Sequence, residues 1–229
     1  MNMQTKPPHT AAEKSILDSF AEMIGQLPGD GPVTAARDRL LSLISDAGLP
    51  TRRIESWHYT DLRNLMRDVP KAGGGSARQV DPLVRNSILL PVIQGRSSDL
   101  SGLEGIQLEP FMDLLASGSA VKGLVERGSD DLIGQLNGAF VGDGYSFSVA
   151  ADQLVEEIIE VQSVQSGGQV HNRFVAAFGA NAKATVLERH LGDTAEAGLS
   201  TAVSSLELAD GAKVTWIILQ GCGEADQHL

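Results

Sequence analysis

Ala182-Lys183-Ala184-Thr185-Val186-Leu187-Glu188-Arg189 decides how the second half of this chain is read, because its opening recurs as Ala212-Lys213-Val214-Thr215, thirty residues later. Each copy follows a Gly/Asn/Asp turn and leads into an apolar strand. Around them, strand-like segments succeed one another at 145–149, 157–164, 170–178, 183–191, 201–208 and 213–220, with no convincing helix between. Turns rich in Gly, Asn, Asp or Ser separate them. Several alternate apolar with polar residues, as Val203, Ser205 and Glu207 do against Ser204, Leu206 and Leu208. A repeat of this size is what stacked coils produce, since each coil buries its inner face only against its neighbours. A β-sandwich gives similar strand spacing.

The first half has a different texture. Ile16, Leu17, Phe20 and Ile24 recur at helical spacing in 11–25, with Asp18 and Glu22 facing away. Pro28-Gly29-Asp30-Gly31-Pro32 makes a loop, and a second helix is predicted from an N-cap at Thr34 to Ala47, with Gly48 as its stop. Thr60 or Asp61 caps a short helix through Leu65. Gly73-Gly74-Gly75-Ser76 reads as a flexible hinge and closes the first unit. An apolar strand at 87–93 contains Pro91 and is predicted at an edge. Gly95-Arg96-Ser97-Ser98 turns the chain, 106–108 is a second strand, and helical pieces fit 110–116, 121–127 and 130–137. Three regions result: a helical 1–71, a short α/β 72–144, and a β-rich 145–229.

With 229 residues the chain can bury a substantial core. Its net charge of −11 lies entirely beyond residue 71, and it argues against nucleic acid and anionic membranes, both of which need a basic face. One cysteine, Cys222, permits no intrachain disulfide and fits a reducing compartment. No apolar run has spanning length, and the polar start 1–10 precedes no signal-type core, so a soluble cytoplasmic protein is expected.

The densest aromatic and charged stretch is Gly48-Leu49-Pro50-Thr51-Arg52-Arg53-Ile54-Glu55-Ser56-Trp57-His58-Tyr59-Thr60-Asp61-Leu62-Arg63, which holds one of two Trp and one of two Tyr. Farther on come Leu136-Asn137-Gly138-Ala139-Phe140-Val141-Gly142-Asp143-Gly144, then His171-Asn172-Arg173-Phe174 and Gly179-Ala180-Asn181-Ala182 with the strand already quoted. In this order and spacing the stretches resemble the SufD family, and its relative SufB, of iron–sulfur cluster assembly proteins. The helical start and the Trp-Xaa-Tyr-Thr block favour SufD. The resemblance runs from about Ala35 onward.

What the resemblance implies is an α+β, mainly β fold: a helical N-terminal region and small α/β segment, then the first coils of a right-handed parallel β-helix. It further implies a scaffold that is not itself an enzyme, with SufB-like and SufC-like partners. The iron–sulfur cluster and ATP belong to that complex, and no cofactor is assigned to this chain. Arg53, Glu55, Trp57, Tyr59, Thr60, Asn137, Asp143, Gly144, His171, Arg173 and Glu188 match the family pattern and are expected to be structural. The family pattern continues beyond Leu229, so the later coils and the SufC-docking helices have no counterpart here, and the chain is expected to be a truncated or partial SufD. A β-helix carbohydrate-active enzyme and a small-ligand β protein are the alternatives.

No catalytic residue stands out. Trp57 and Tyr59 are both expected to pack the helical region on the core, with Arg53 and Glu55 paired nearby. Cys222 with His228 offers a thiolate and an imidazole, two ligands where a cluster takes four. His171 and His190 lie on neighbouring predicted strands, while His9 and His58 have no evident partners. Glu156, Glu157 and Glu160 flank Ile158, Ile159 and Val161 and read as a solvated sheet face. The glycines at 73–75 lack the following Lys-Ser or Lys-Thr of a phosphate loop.

Overall fold

The computed structural model describes residues 8–100, 102–124, 131–192 and 196–229. Helix α1 (Ala11–Met23) opens on a capping box: Thr10 accepts from the Glu13 N–H, and the Glu13 carboxylate accepts from the Thr10 N–H. Helix α2 (Gly31–Ala47) starts three residues before the predicted Thr34 cap. Asp30 accepts from the Val33 N–H, and Pro32 falls in the first turn, where its missing N–H costs nothing. Gly48, at φ 70°, ends it. Asp61 caps α3 (Leu62–Leu65). Three further helices are α4 (Phe111–Ala116), α5 (Val121–Leu124) and α6 (Leu132–Phe140). The helical pieces predicted at 121–127 and 130–137 run into 125–130, outside the described residues, as does most of the polar start. No helix among the described residues is long and apolar enough to cross a membrane.

Among the described residues, ten strands form two sheets. They are β1 (Ile88–Ile93), β2 (Arg96–Ser97), β3 (Ile106–Pro110), β4 (Asp143–Val149), β5 (Ile159–Gln165), β6 (Gly168–Phe178), β7 (Lys183–Gly192), β8 (Gly198–Leu208), β9 (Lys213–Gly221) and β10 (Gln227–His228). Sheet A runs β2-β1-β5-β7-β9 and sheet B runs β10-β8-β6-β4-β3. The echo has a direct meaning: Lys183 pairs with Lys213 and Ala184 with Val214 in parallel strands of sheet A. Asn181, at φ 58°, and Gly211, at φ 75°, shape the stacked turns that precede them.

This pairing corrects the predicted fold class. The protein is α/β, with two mixed, mostly parallel five-stranded sheets, and no β-helix coil is described. The antiparallel pairs β1–β2 and β3–β4 make both sheets mixed, and strands from 88–110 are built into each. Each strand pairs within one of the two sheets, and β9 and most of β8 lie at open edges. Between the sheets lies one apolar core of Leu90, Tyr145, Phe147, Ile159, Phe174 and Val186 with their neighbours. The helices cover the other face of sheet B through a second core, in which Ile16, Phe20, Leu40, Leu136 and Phe140 meet Leu199.

Pro91 does not put β1 at an edge. The N–H groups of Ile88 and Gln94 point to β5, so the even positions face that strand and Pro91 faces away from it. On that side β2 reaches only Val92 and Ile93. The glycines at 73–75 are not a hinge either. The Gly75 N–H donates to the Ser166 carbonyl, and a Cβ on Gly74 would collide with the Gly167 carbonyl. They are glycines because this stretch lies against the β5–β6 turn.

The block after α2 is anchored by Glu13 rather than by its aromatic pair. Glu13 is buried, accepts from the Leu49 N–H at 2.7 Å and lies 3.4 Å from the Arg63 guanidinium. Trp57 is half-buried against the helical core, but Tyr59 is 91% exposed and stacks edge-on only with His58. Arg53, Glu55 and Thr60 are exposed, and no ion pair joins Arg53 to Glu55 among the described residues. Trp57→Ala is therefore expected to cost about 1–2 kcal/mol, below the figure for a fully buried ring. Tyr59→Ala is expected to stay within about 0.5 kcal/mol of neutral. Equal losses in thermal melts of the two variants would show that the burial assigned to this block is wrong.

Candidate functional site

Three buried polar clusters hold the residues with chemical potential. The first lies on the seam between α6 and sheet B. Asn137 is fully buried; its amide donates to the Asn172 carbonyl at 2.8 Å and to Thr201 Oγ1 at 3.0 Å, and its oxygen accepts from Arg173 Nε at 3.1 Å. The Arg173 guanidinium also donates to the Gly123 carbonyl. His171 Nδ1 lies 2.9 Å from Thr201 Oγ1, and its ring packs on Phe140 with centroids 4.9 Å apart. Burial pushes the pKa of His171 down to about 3, so it is neutral at any ordinary pH. His171 Nε2 lies 3.5 Å from the Gln169 amide oxygen, which can only accept, so the ring proton is assigned to Nε2 and Nδ1 accepts from the Thr201 hydroxyl.

Nearby, Asp143 accepts from the Ser97 N–H and hydroxyl and from the Met112 N–H, tying β2 and α4 to the start of β4. Arg37 ends the seam: its buried guanidinium donates to the carbonyls of Pro28, Ala139 and Val141 at 2.8–2.9 Å, closing the C-terminal turn of α6. Together these bonds tie α6 to sheet B, β2 and α4 to β4, and α2 to the end of α6.

The second cluster sits between the sheets, where β7 turns from apolar to polar along its inner face. Glu188 Oε1 is 2.8 Å from His190 Nε2, and Oε2 accepts from Ser204 Oγ and Trp216 Nε1, both at 2.8 Å. Burial alone raises the pKa of such a carboxyl, but His190 and the two neutral donors outweigh it and hold Glu188 below the usual range. The His190 ring lies on that of His228, centroids 4.3 Å apart, and His228 Nδ1 is 2.8 Å from Ser200 Oγ. Cys222 is close by, its thiol 3.9 Å from the His190 carbonyl oxygen. Burial and the charge of Asp226 push its pKa up, which favours the thiol over the thiolate.

The third cluster is on the outer face of sheet A. Glu160, predicted to be solvated, is fully buried and makes a 2.5 Å ion pair with Arg189. It also accepts from the Leu83 N–H and from Gln162 Nε2, and Arg189 donates to the Asp81 carbonyl. The segment 80–84 lies over them. Glu156 and Glu157 are exposed as expected.

The eleven family-pattern residues thus scatter into three places. Asn137, Asp143, Gly144, His171 and Arg173 gather on the α6 seam, Glu188 lies between the sheets, and Arg53, Glu55, Trp57, Tyr59 and Thr60 lie in the block before α3. His171 and His190 do not meet, because β6 turns His171 toward the helices while His190 faces the space between the sheets. His190 instead meets His228. His9 also has a partner, the Ser45 carbonyl at 2.9 Å. Sequence reasoning missed Thr201, Arg37, Arg189 and Trp216. The thirty-residue register identifies Thr201, which stands directly beside His171. Among the described residues, no group of three or more His, Cys, Asp or Glu is arranged to hold a metal ion. In comparisons with protein-family models and with curated proteins, the sequence matches none.

Proposed function

We propose that this chain is a SufD-like scaffold subunit of an iron–sulfur cluster assembly complex, working in the cytoplasm through contacts with a SufB-like subunit and a SufC-like ATPase. The cluster is the cargo of that complex. A single cysteine held as a thiol falls short of the four ligands a cluster takes, so the proposed contribution of this chain is contact rather than ligation or turnover.

The observation that carries this reading is the pair of open strand edges at one end of both sheets. Among the described residues, strand β9 pairs only with β7, and β10 with Leu229 covers β8 no farther than Ala202. Leu206, Leu208, Ile217 and Ile218 are exposed on those two edge strands. Unpaired N–H and C=O groups beside exposed apolar side chains invite strand pairing with another chain. The proposed SufB-like identity of that partner rests on the order and spacing of the three family-like stretches.

Affinity capture with co-expressed SufB-like and SufC-like subunits tests the proposal. The expected result is retention of the SufB-like subunit, with the SufC-like ATPase carried through it because the SufC-docking helices have no counterpart here, and a drop of about tenfold or more in retained SufB-like subunit for the double variant Ile217→Lys, Ile218→Lys. Both side chains are exposed, so the variant is expected to fold as the parent does. Capture of neither subunit by the unaltered chain would sink the proposal.

A further inference from the structure

Strand β10 is a short element with an unusual lock. It holds to β8 through two residue pairs, Gln227 with Leu199 and His228 with Ser200. Two more backbone bonds extend this, from the Leu229 N–H to the Ser200 carbonyl and from the Ala202 N–H to the Leu229 carbonyl. Outside the backbone it is fixed by the His228–Ser200 contact, by His228 lying on His190, by a long 3.4 Å bond from Gln227 to the Asp68 carbonyl, and by Leu229 packing against the helical core.

We propose that β10 is a pH-sensitive latch, in which protonation of His228 against His190 releases β10 and opens the remaining edge of β8.

The charge balance at the lock supports this. From β7 it is faced by Glu188 and His190. The turn between β9 and β10 adds Cys222, a thiol, and Asp226, whose Oδ2 accepts from the Gly223 N–H at 2.7 Å and whose Oδ1 is buried with no hydrogen-bond partner. Ser200 and Trp216 are neutral. The one carboxylate in contact with the ring pair, Glu188, is already engaged by His190, Ser204 and Trp216. A proton on His228 therefore finds both Glu188 oxygens engaged and lies 4.3 Å, ring to ring, from His190. Burial, then the charge of His190, lower the His228 pKa to about 4 from an ordinary 6.5, with Glu188 opposing. A histidine whose pKa is depressed when latched favours the latched state above the released value. That preference is lost progressively as pH falls below 6.5 and levels off near 4. Release becomes about 30-fold more favourable by about pH 5 and up to roughly 300-fold at the limit.

Hydrogen exchange of the full chain, followed residue by residue and corrected for the intrinsic pH dependence of exchange, reads this directly. Between pH 6.5 and about 4, the Ala202 and Leu229 amides are expected to lose protection while Val161 and Val186, in the middle of β5 and β7, keep theirs. The variant His228→Asn retains a polar partner for Ser200 but cannot titrate, and its Ala202 protection is expected to be flat over the same range. Protection of Ala202 that does not change with pH in the unaltered chain overturns the latch. So does its loss only together with Val161 and Val186, which would be global unfolding. A pH dependence unchanged in His228→Asn overturns the assignment to His228, and the wild-type series decides the matter even if the variant fails to fold.

Discussion

Gly144→Ala is expected to be among the most damaging single substitutions in the protein, costing on the order of 3–5 kcal/mol. Gly144 has φ +148°, a conformation that L side chains rarely adopt, and it pairs with Arg173 across β4 and β6. A Cβ there would fall on the carbonyl group of Arg173, which is backbone and cannot rotate away. To relieve the clash β4 has to move off β6. That displaces Arg173 from Asn137 and Gly123, and carries Asp143 away from Ser97 and Met112. The damage therefore reaches both the helix seam and the attachment of β2. The melting temperature is expected to fall by roughly 6–20 °C. Gly142 is the internal control: a Cβ there meets nothing within 4 Å, so Gly142→Ala is expected to be neutral or slightly stabilising. If Gly144→Ala melts with Gly142→Ala, the close approach of β4 to β6 is wrong.

Local structure was largely legible in the sequence because it depends on local chemistry. Gly48 and Asp61 act at helix ends through their own backbone or side chain, and the β-rich texture after Tyr145 follows from alternation and turn residues. The echo at Ala182 and Ala212 was legible as a repeat, and its meaning is a direct parallel pairing. Sheet assignment was not legible. Alternation says that Val186, Glu188 and His190 share a face, but which sheet they face depends on partners thirty residues away. The same ignorance placed Glu160 in solvent: its cover, at 80–84, is nearly eighty residues upstream, and no local pattern predicts that contact. Tyr59 failed for the opposite reason. An aromatic ring two residues from a packed Trp57 looks buried by association, yet the turn between them points it outward. Glu13 shows how a capping residue can hide a second role, since its carboxylate also fixes Leu49 and Arg63. At the candidate site, residue types were visible but their company was not: His190 meets His228 only because β7 and β10 converge.

Glu160→Ala is expected to cost about 3–5 kcal/mol, because it leaves the Arg189 guanidinium buried without its counter-charge. It also strips the acceptor from the Leu83 N–H, so the segment over sheet A should loosen with it. The pair itself need not be favourable. Two charges withdrawn from water give back much of their attraction as desolvation, so replacing both Glu160 and Arg189 with Met is expected to recover most of the loss. That contrast separates a dependence on the charge match from a mere dependence on volume. A double variant no more stable than Glu160→Ala would show that 80–84 is held by the carboxylate and guanidinium hydrogen bonds instead. Acid titration gives a second measure. Burial alone raises the Glu160 pKa, but Gln162, Arg189 and the Leu83 N–H more than offset it, so the folded value lies below the ordinary 4.5. A depressed carboxylate contributes stability that is fully present above its unfolded pKa and disappears as pH falls through the folded one. The unaltered protein should therefore lose stability below about pH 4.5 more steeply than Glu160→Gln, which has no proton to take up there. Parallel acid denaturation curves for the two would mean that Glu160 is not the anion this face requires.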